Sequence, residues 1–136
     1  MATLKISDLS VGDWVRTKDG NVTVDIISPL EVVVMNDYGN LCACKIEDIE
    51  PIPITAEILG KNEWYTDGMY AFLPIDEHLH LEYYYHEHRL RKYYCGKDEW
   101  QNHAKVNDIT FTAHCYSVHQ LQHALRLAGV EKEINL

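Results

Sequence analysis

A chain of 136 residues with 46% hydrophobic and 24% charged residues has an ordinary globular composition, which excludes the polar, charge-rich profile of a disordered protein. Its 12 Lys and Arg against 21 Asp and Glu leave a formal charge of −9, which repels a phosphate backbone and disfavours nucleic acid as a partner. No stretch approaches the roughly 18 apolar residues of a membrane span, no signal-peptide pattern opens the chain, and the cysteines require no disulfide framework, so a cytoplasmic protein with free thiols is expected.

The Gly12-Asp13 step before Trp14-Val15 marks the start of a first strand. Lys18-Asp19-Gly20-Asn21 is a tight-turn signal, because Asp-Gly tolerates the positive φ angles of a short hairpin. Val22, Val24 and Ile26 then alternate with Thr23 and Asp25, giving the second strand one apolar and one polar face. Ser28-Pro29 interrupts the ladder, Glu31 to Met35 resumes it, and Asn36 to Asn40 forms a second turn cluster. Leu41 to Ile46 is a fourth strand with Cys42 and Cys44 on one face. With a fifth strand around Ile52 to Ile54, residues 1–53 are expected to form a small SH3-like β-barrel, a scaffold that hosts many unrelated activities.

Pro51 and Pro53 make a stiff extended connector and the best boundary in the chain. Residues 54–136 are expected to form an antiparallel sheet packed by a C-terminal helix, able to share one core with the barrel, so the fold class is α+β. Thr55 caps a short helix over Ala56 to Leu59, with Gly60 as its stop. Met69 to Leu73 reads as a strand ended by Pro74, and Leu79 to His86 with Arg89 to Cys95 as a long hairpin rich in tyrosine. Lys97 to Asn107 is polar and irregular, and Ile109 to Ala113 is a last strand. Ser117 and Gln120 form a capping box, Tyr116 is placed to staple onto Leu121, and Val118, Leu121, Leu125 and Ala128 form the apolar stripe of a helix closed by Gly129 in a left-handed cap.

Three of these segments, Val11-Gly12-Asp13-Trp14-Val15, Ile49-Glu50-Pro51-Ile52-Pro53-Ile54-Thr55 and Val118 to Leu127, resemble in order and spacing a family of small proteins of gut bacteria and their prophages. The family has asparagine where this chain has His123. The resemblance implies a phage or mobile-element origin and carries over no catalytic residue.

The eight histidines are the most suggestive chemistry. On a continuous strand His78, His80, His86 and His88 share a face, while His119 and His123 lie one helical turn apart, and such pairs suit zinc or another transition metal. Gln120 stands where a metalloprotease motif has its glutamate, so that general base is missing. Solvated or hydrogen-bonded histidines are the ordinary alternative. Cys42-x-Cys44 lacks the spacing of a zinc knuckle and reads as a pair of inward-facing core thiols, and Cys95 or Cys115 beside a histidine is the form a Cys-His hydrolase takes. Asp76, Glu77, Glu82 and Glu87 read as the solvated face of the hairpin. Trp14, Tyr84 and Tyr93 are the candidate aromatic interaction residues, with cross-strand packing as the alternative for the tyrosines.

In the absence of a catalytic motif, the expectation is a non-enzymatic accessory or protein-interaction protein that binds a protein partner or itself. The alternative is a metal-binding protein or metal-dependent hydrolase built on the histidine-rich hairpin and helix.

Overall fold

The computed structural model describes residues 4–94 and 108–136. The expectations for Cys95 and the stretch Lys97 to Asn107 lie outside the described residues. The fold is α+β, with two antiparallel sheets and a C-terminal helix. The chain divides into two compact units, Met1–Pro53 with Ser117–His119, and Ile54–Tyr116 with Gln120–Leu136. No helix among the described residues is long and apolar enough to cross a membrane.

The first unit is a four-stranded meander of β1 (Trp14–Thr17), β2 (Gly20–Ile27), β3 (Val32–Met35) and β4 (Leu41–Cys44), in that spatial order. Thr17 pairs with Gly20 across a two-residue loop, and Gly20 takes φ +108°, a conformation that L side chains rarely adopt. Val15, Val22, Val24, Val32 and Val34 fill the inner face with Leu4, Leu9 and Ile49. Burying each such side chain stabilises the unit by roughly 1.5–3 kcal/mol.

The alternation expected for β2 holds only as far as Val24. A bulge shifts the register between Val24, opposite Val34, and Ile26, opposite Val33. The extra residue, Asp25, reverses the phase of everything beyond it, so Ile27 packs on the core and Ile26 is 52% exposed.

The expected fifth strand at Ile52 to Ile54 is also corrected, and no closed barrel forms among the described residues. A 3-10 turn over Ile46–Asp48 leads to Glu50, which bridges Arg16 of β1 through Arg16 N to Glu50 O at 2.9 Å and Glu50 N to Arg16 O at 2.8 Å. Pro51 and Pro53 have no N–H, so the pairing cannot continue as a regular ladder. Ile52 is fully buried, its carbonyl accepts from Val118 N at 2.8 Å, and Pro53 bridges Ser117.

The second unit begins with α1 (Ala56–Lys61), capped by Thr55, whose hydroxyl accepts from Ile58 N at 3.2 Å. Gly60 lies inside this helix, and Asn62 ends it. The buried Asn62 amide donates to Ile58 O and Asn135 O, both at 2.8 Å, and accepts from Asn135 N at 2.7 Å. The sheet runs in the order β5 (Tyr65–Thr66), β6 (Tyr70–Pro74), β7 (Leu79–Tyr84), β8 (Arg89–Tyr94) and β9 (Asp108–His114).

Ala71, Leu73, Leu81, Tyr83 and Leu90 form the buried apolar face of this sheet. Lys92, on the same face as Leu81, donates to Ala128 O at 2.6 Å and ties β8 to the end of α2 (Val118–Leu127). Val118, Leu121, Leu125 and Ala128 are buried as the helical period requires, and Gly129 takes φ +76° while Val130 N reaches back to Leu125 O at 2.9 Å. Gln120 Oε1 accepts from Tyr116 N at 2.7 Å, one residue earlier than a capping box places it.

Candidate functional site

On β1 to β4, the residues opposite one another across the sheet are Trp14, Thr23, Met35 and Leu41, so all four lie in one row on the outer face. Ile26, Val33 and Ala43 form a second row beside them. Trp14 and Val33 are half-buried, whereas Ile26, Met35, Leu41 and Ala43 are exposed. These rows end at β4, whose outer edge pairs with no strand among the described residues.

The opposite edge of the meander is different, because Glu50 occupies β1 there. Edge strands are usually protected by charge, proline or a covering segment. Leu41-Cys42-Ala43-Cys44 carries no charge and no proline. Tyr38, 89% exposed, stands at the turn that leads into it, where Asn36 Oδ1 accepts from both Tyr38 N and Asn40 N at 3.0 Å.

A polar network occupies the second sheet. His80, Glu82 and Tyr84 alternate along β7 on the face opposite Leu81 and Tyr83, with Tyr93 across from His80 and Arg91 across from Glu82. His80 Nε2 lies 2.8 Å from Glu82 Oε2, and Tyr84 OH donates to Glu82 Oε1. Tyr93 OH stands 3.4 Å from Tyr84 OH, and Arg91 reaches it at 3.5 Å. Rings pack around these polar atoms, with Phe72 4.8 Å from His80, Tyr93 stacked on His80 at 5.1 Å and Arg91 5.2 Å above Tyr84.

Burial acts to raise the Glu82 carboxyl, but hydrogen bonds from His80 and Tyr84, with the charge of Arg91, outweigh it and hold the group below its usual range. Burial and the bond to Glu82 push the Tyr84 phenol up. An ionised carboxylate only accepts, so His80 Nε2 carries the hydrogen in this bond. Its Nδ1 is buried and has no hydrogen-bond partner among the described residues.

The six histidines are therefore placed differently. His80 is in this network, while the His78 ring lies against Tyr94, the strand neighbour of Tyr93 that points to the other face. The strand ends at Tyr84, so alternation does not extend to His86 and His88 in the turn. His86 is exposed, and His88, at φ +52°, stacks on Tyr116 at 4.6 Å. His119 is buried with Nδ1 3.0 Å from Ser117 Oγ, and His123 is half-buried one turn further along α2. Among the described residues no group of three or more His, Cys, Asp or Glu side chains is placed to hold a metal ion.

Tyr93 is buried and Tyr84 half-buried, whereas Trp14 lies in the outer row of the first sheet. Glu82 is not part of a solvated face, as its side chain is 15% exposed, although Glu87 at 55% is. Cys42 is exposed instead of inward-packed, and Cys115 is fully buried. The sequence reading missed Met35, Leu41 and Ala43 as surface residues; the signal was an uncharged strand in an acidic chain.

No protein-family model, curated protein or solved structure matches the chain.

Proposed function

We propose that this is a non-enzymatic accessory protein of phage or mobile-element origin that engages a protein partner through the first sheet, taking an extended apolar segment of the partner onto the open edge of β4. One observation carries the reading: the row Trp14, Thr23, Met35, Leu41 ends at an uncharged edge strand that pairs with no further strand among the described residues. Backbone bonds along such an edge supply affinity, and side chains on alternate positions supply selectivity.

The 3-10 turn before Glu50 and the return of Glu50 to β1 support an SH3-like identity for the first unit. The three-block sequence resemblance supports the mobile-element origin, and the three free cysteines among the described residues accord with a cytoplasmic setting.

The test is selection of peptides from a displayed random library on the immobilised full chain. Extended peptides with alternating apolar residues are expected, and Leu41→Lys or Ala43→Lys should abolish their binding while leaving the circular dichroism spectrum unchanged. Peptides that bind both lysine variants as well as the original chain would refute the edge.

A second reading, a metal-binding protein or metal-dependent hydrolase, is favoured by His80 alone. A carboxylate on one imidazole nitrogen, with the other nitrogen unengaged among the described residues, is the pattern that orients histidine ligands. Zinc at about one equivalent per chain in untagged protein, lost in His80→Ala, would favour this reading; metal-free folded protein would remove it.

A further inference from the structure

Cys42 and Cys44 stand two residues apart on β4, opposite Val34 and Val32, so their side chains share the inner face of the sheet at its open edge. Cys42 is exposed, Cys44 is half-buried against the valine core, and neither is in a disulfide. Cys42 Sγ donates to Ala43 O at 3.7 Å and Cys44 Sγ to Cys42 O at 4.0 Å. Residues i and i+2 of a strand have Cα atoms roughly 6.7 Å apart, at the upper limit for a disulfide, so the pair is geometrically suited to remain a dithiol.

Tetrahedral zinc needs four ligands, and no group of three His, Cys, Asp or Glu is available among the described residues. Soft Cu(I) is satisfied by two thiolates. We propose that Cys42 and Cys44 form a two-coordinate thiolate site for Cu(I). Two S–H bonds break, two protons pass to solvent, two Cu–S bonds form, and copper stays Cu(I) throughout. The proposal is independent of partner binding at the edge of β4.

The test is an anaerobic titration of the reduced full chain with Cu(I) in competition with bicinchoninate. About one Cu(I) per chain should be withheld from the chelator, with thiolate-to-copper absorption in the ultraviolet. Cys42→Ser and Cys44→Ser should each abolish both signals, with Cys44→Ala as the second variant if serine disturbs the core. Cys95→Ser and Cys115→Ser should retain them. Copper binding that survives loss of Cys42 or Cys44, falls equally with Cys115→Ser, or occurs only in a copper-bridged dimer would overturn the site.

Discussion

Replacing Glu82 by glutamine changes one atom type at the centre of the His80, Glu82, Tyr84 network and leaves its volume intact. Hydrogen bonds to a charged group contribute about 1.5–3 kcal/mol each, and Glu82 makes two. In Glu82→Gln the amide oxygen still accepts from Tyr84, but as a neutral bond of about half the strength. The amide NH2 then faces His80 Nε2–H, donor against donor. Moving the hydrogen to Nδ1 relieves that clash and buries a donor with no acceptor among the described residues, at a cost of about 1–3 kcal/mol. The sum is a loss of roughly 2–4 kcal/mol, which a urea titration at pH 7 reads as a midpoint lowered by about 1–2 M.

Acid titration provides the second arm of this test. The folded carboxyl lies below its unfolded value of 4.5, so the unfolded chain binds the proton more readily. The contribution is complete above that value and is lost as pH falls through the folded one. The original chain should lose stability on acidification below about pH 4.5, and Glu82→Gln should show a shallower loss. A cost under about 0.5 kcal/mol at pH 7, or an unchanged acid slope, would refute the network.

The bulge at Asp25 predicts opposite outcomes for adjacent residues: Ile26→Lys should cost within about 0.5 kcal/mol, and Ile27→Lys several times more, in chemical denaturation. Equal costs would mean that the register is wrong. Cys115, whose thiol burial pushes up to about 12, should resist a maleimide in the native protein while exposed Cys42 reacts, and mass spectrometry of the labelled chain distinguishes them. Tyr83 is fully buried and donates to Cys115 O at 2.6 Å, so Tyr83→Phe should cost about 1–3 kcal/mol. Because burial raises its phenol, the original chain should also lose stability above about pH 10, and Tyr83→Phe should lessen that alkaline slope.

The turns of the first sheet were legible because Asp19-Gly20 and the asparagine- and glycine-rich cluster at Asn36 to Asn40 carry their own backbone chemistry. The phase of β2 was not, since Asp25-Ile26-Ile27 offers two adjacent apolar residues and periodicity cannot choose between them without the partner strand. The last pairing was placed two residues late because Ile52 to Ile54 is the more β-prone stretch, although Pro51 and Pro53 lack the N–H groups with which a ladder would continue beyond Glu50.

Residues of β5 escaped notice because a two-residue strand has no period. In β7, His80, Glu82 and Tyr84 were visible as alternating positions, but nothing in a run of polar and aromatic residues says that their face is buried. That depends on the rings of Phe72 and Tyr93, brought in by neighbouring strands. The outer row of the first sheet was hidden for the same reason: Trp14, Met35 and Leu41 become neighbours only through two hairpin registers and β3.

The bond from Val118 N to Ile52 O bears on how this chain can be divided. A cut after Pro53 falls at the stiffest connector and looks clean on paper, yet Ser117–His119 belongs to the first unit. A fragment ending there leaves the carbonyl of a fully buried isoleucine without its donor and Pro53 without its bridge to Ser117. In terms of recombination, residues 1–53 are not a portable cassette. Exchange between relatives at this junction preserves the fold only when the distant helix start travels with it.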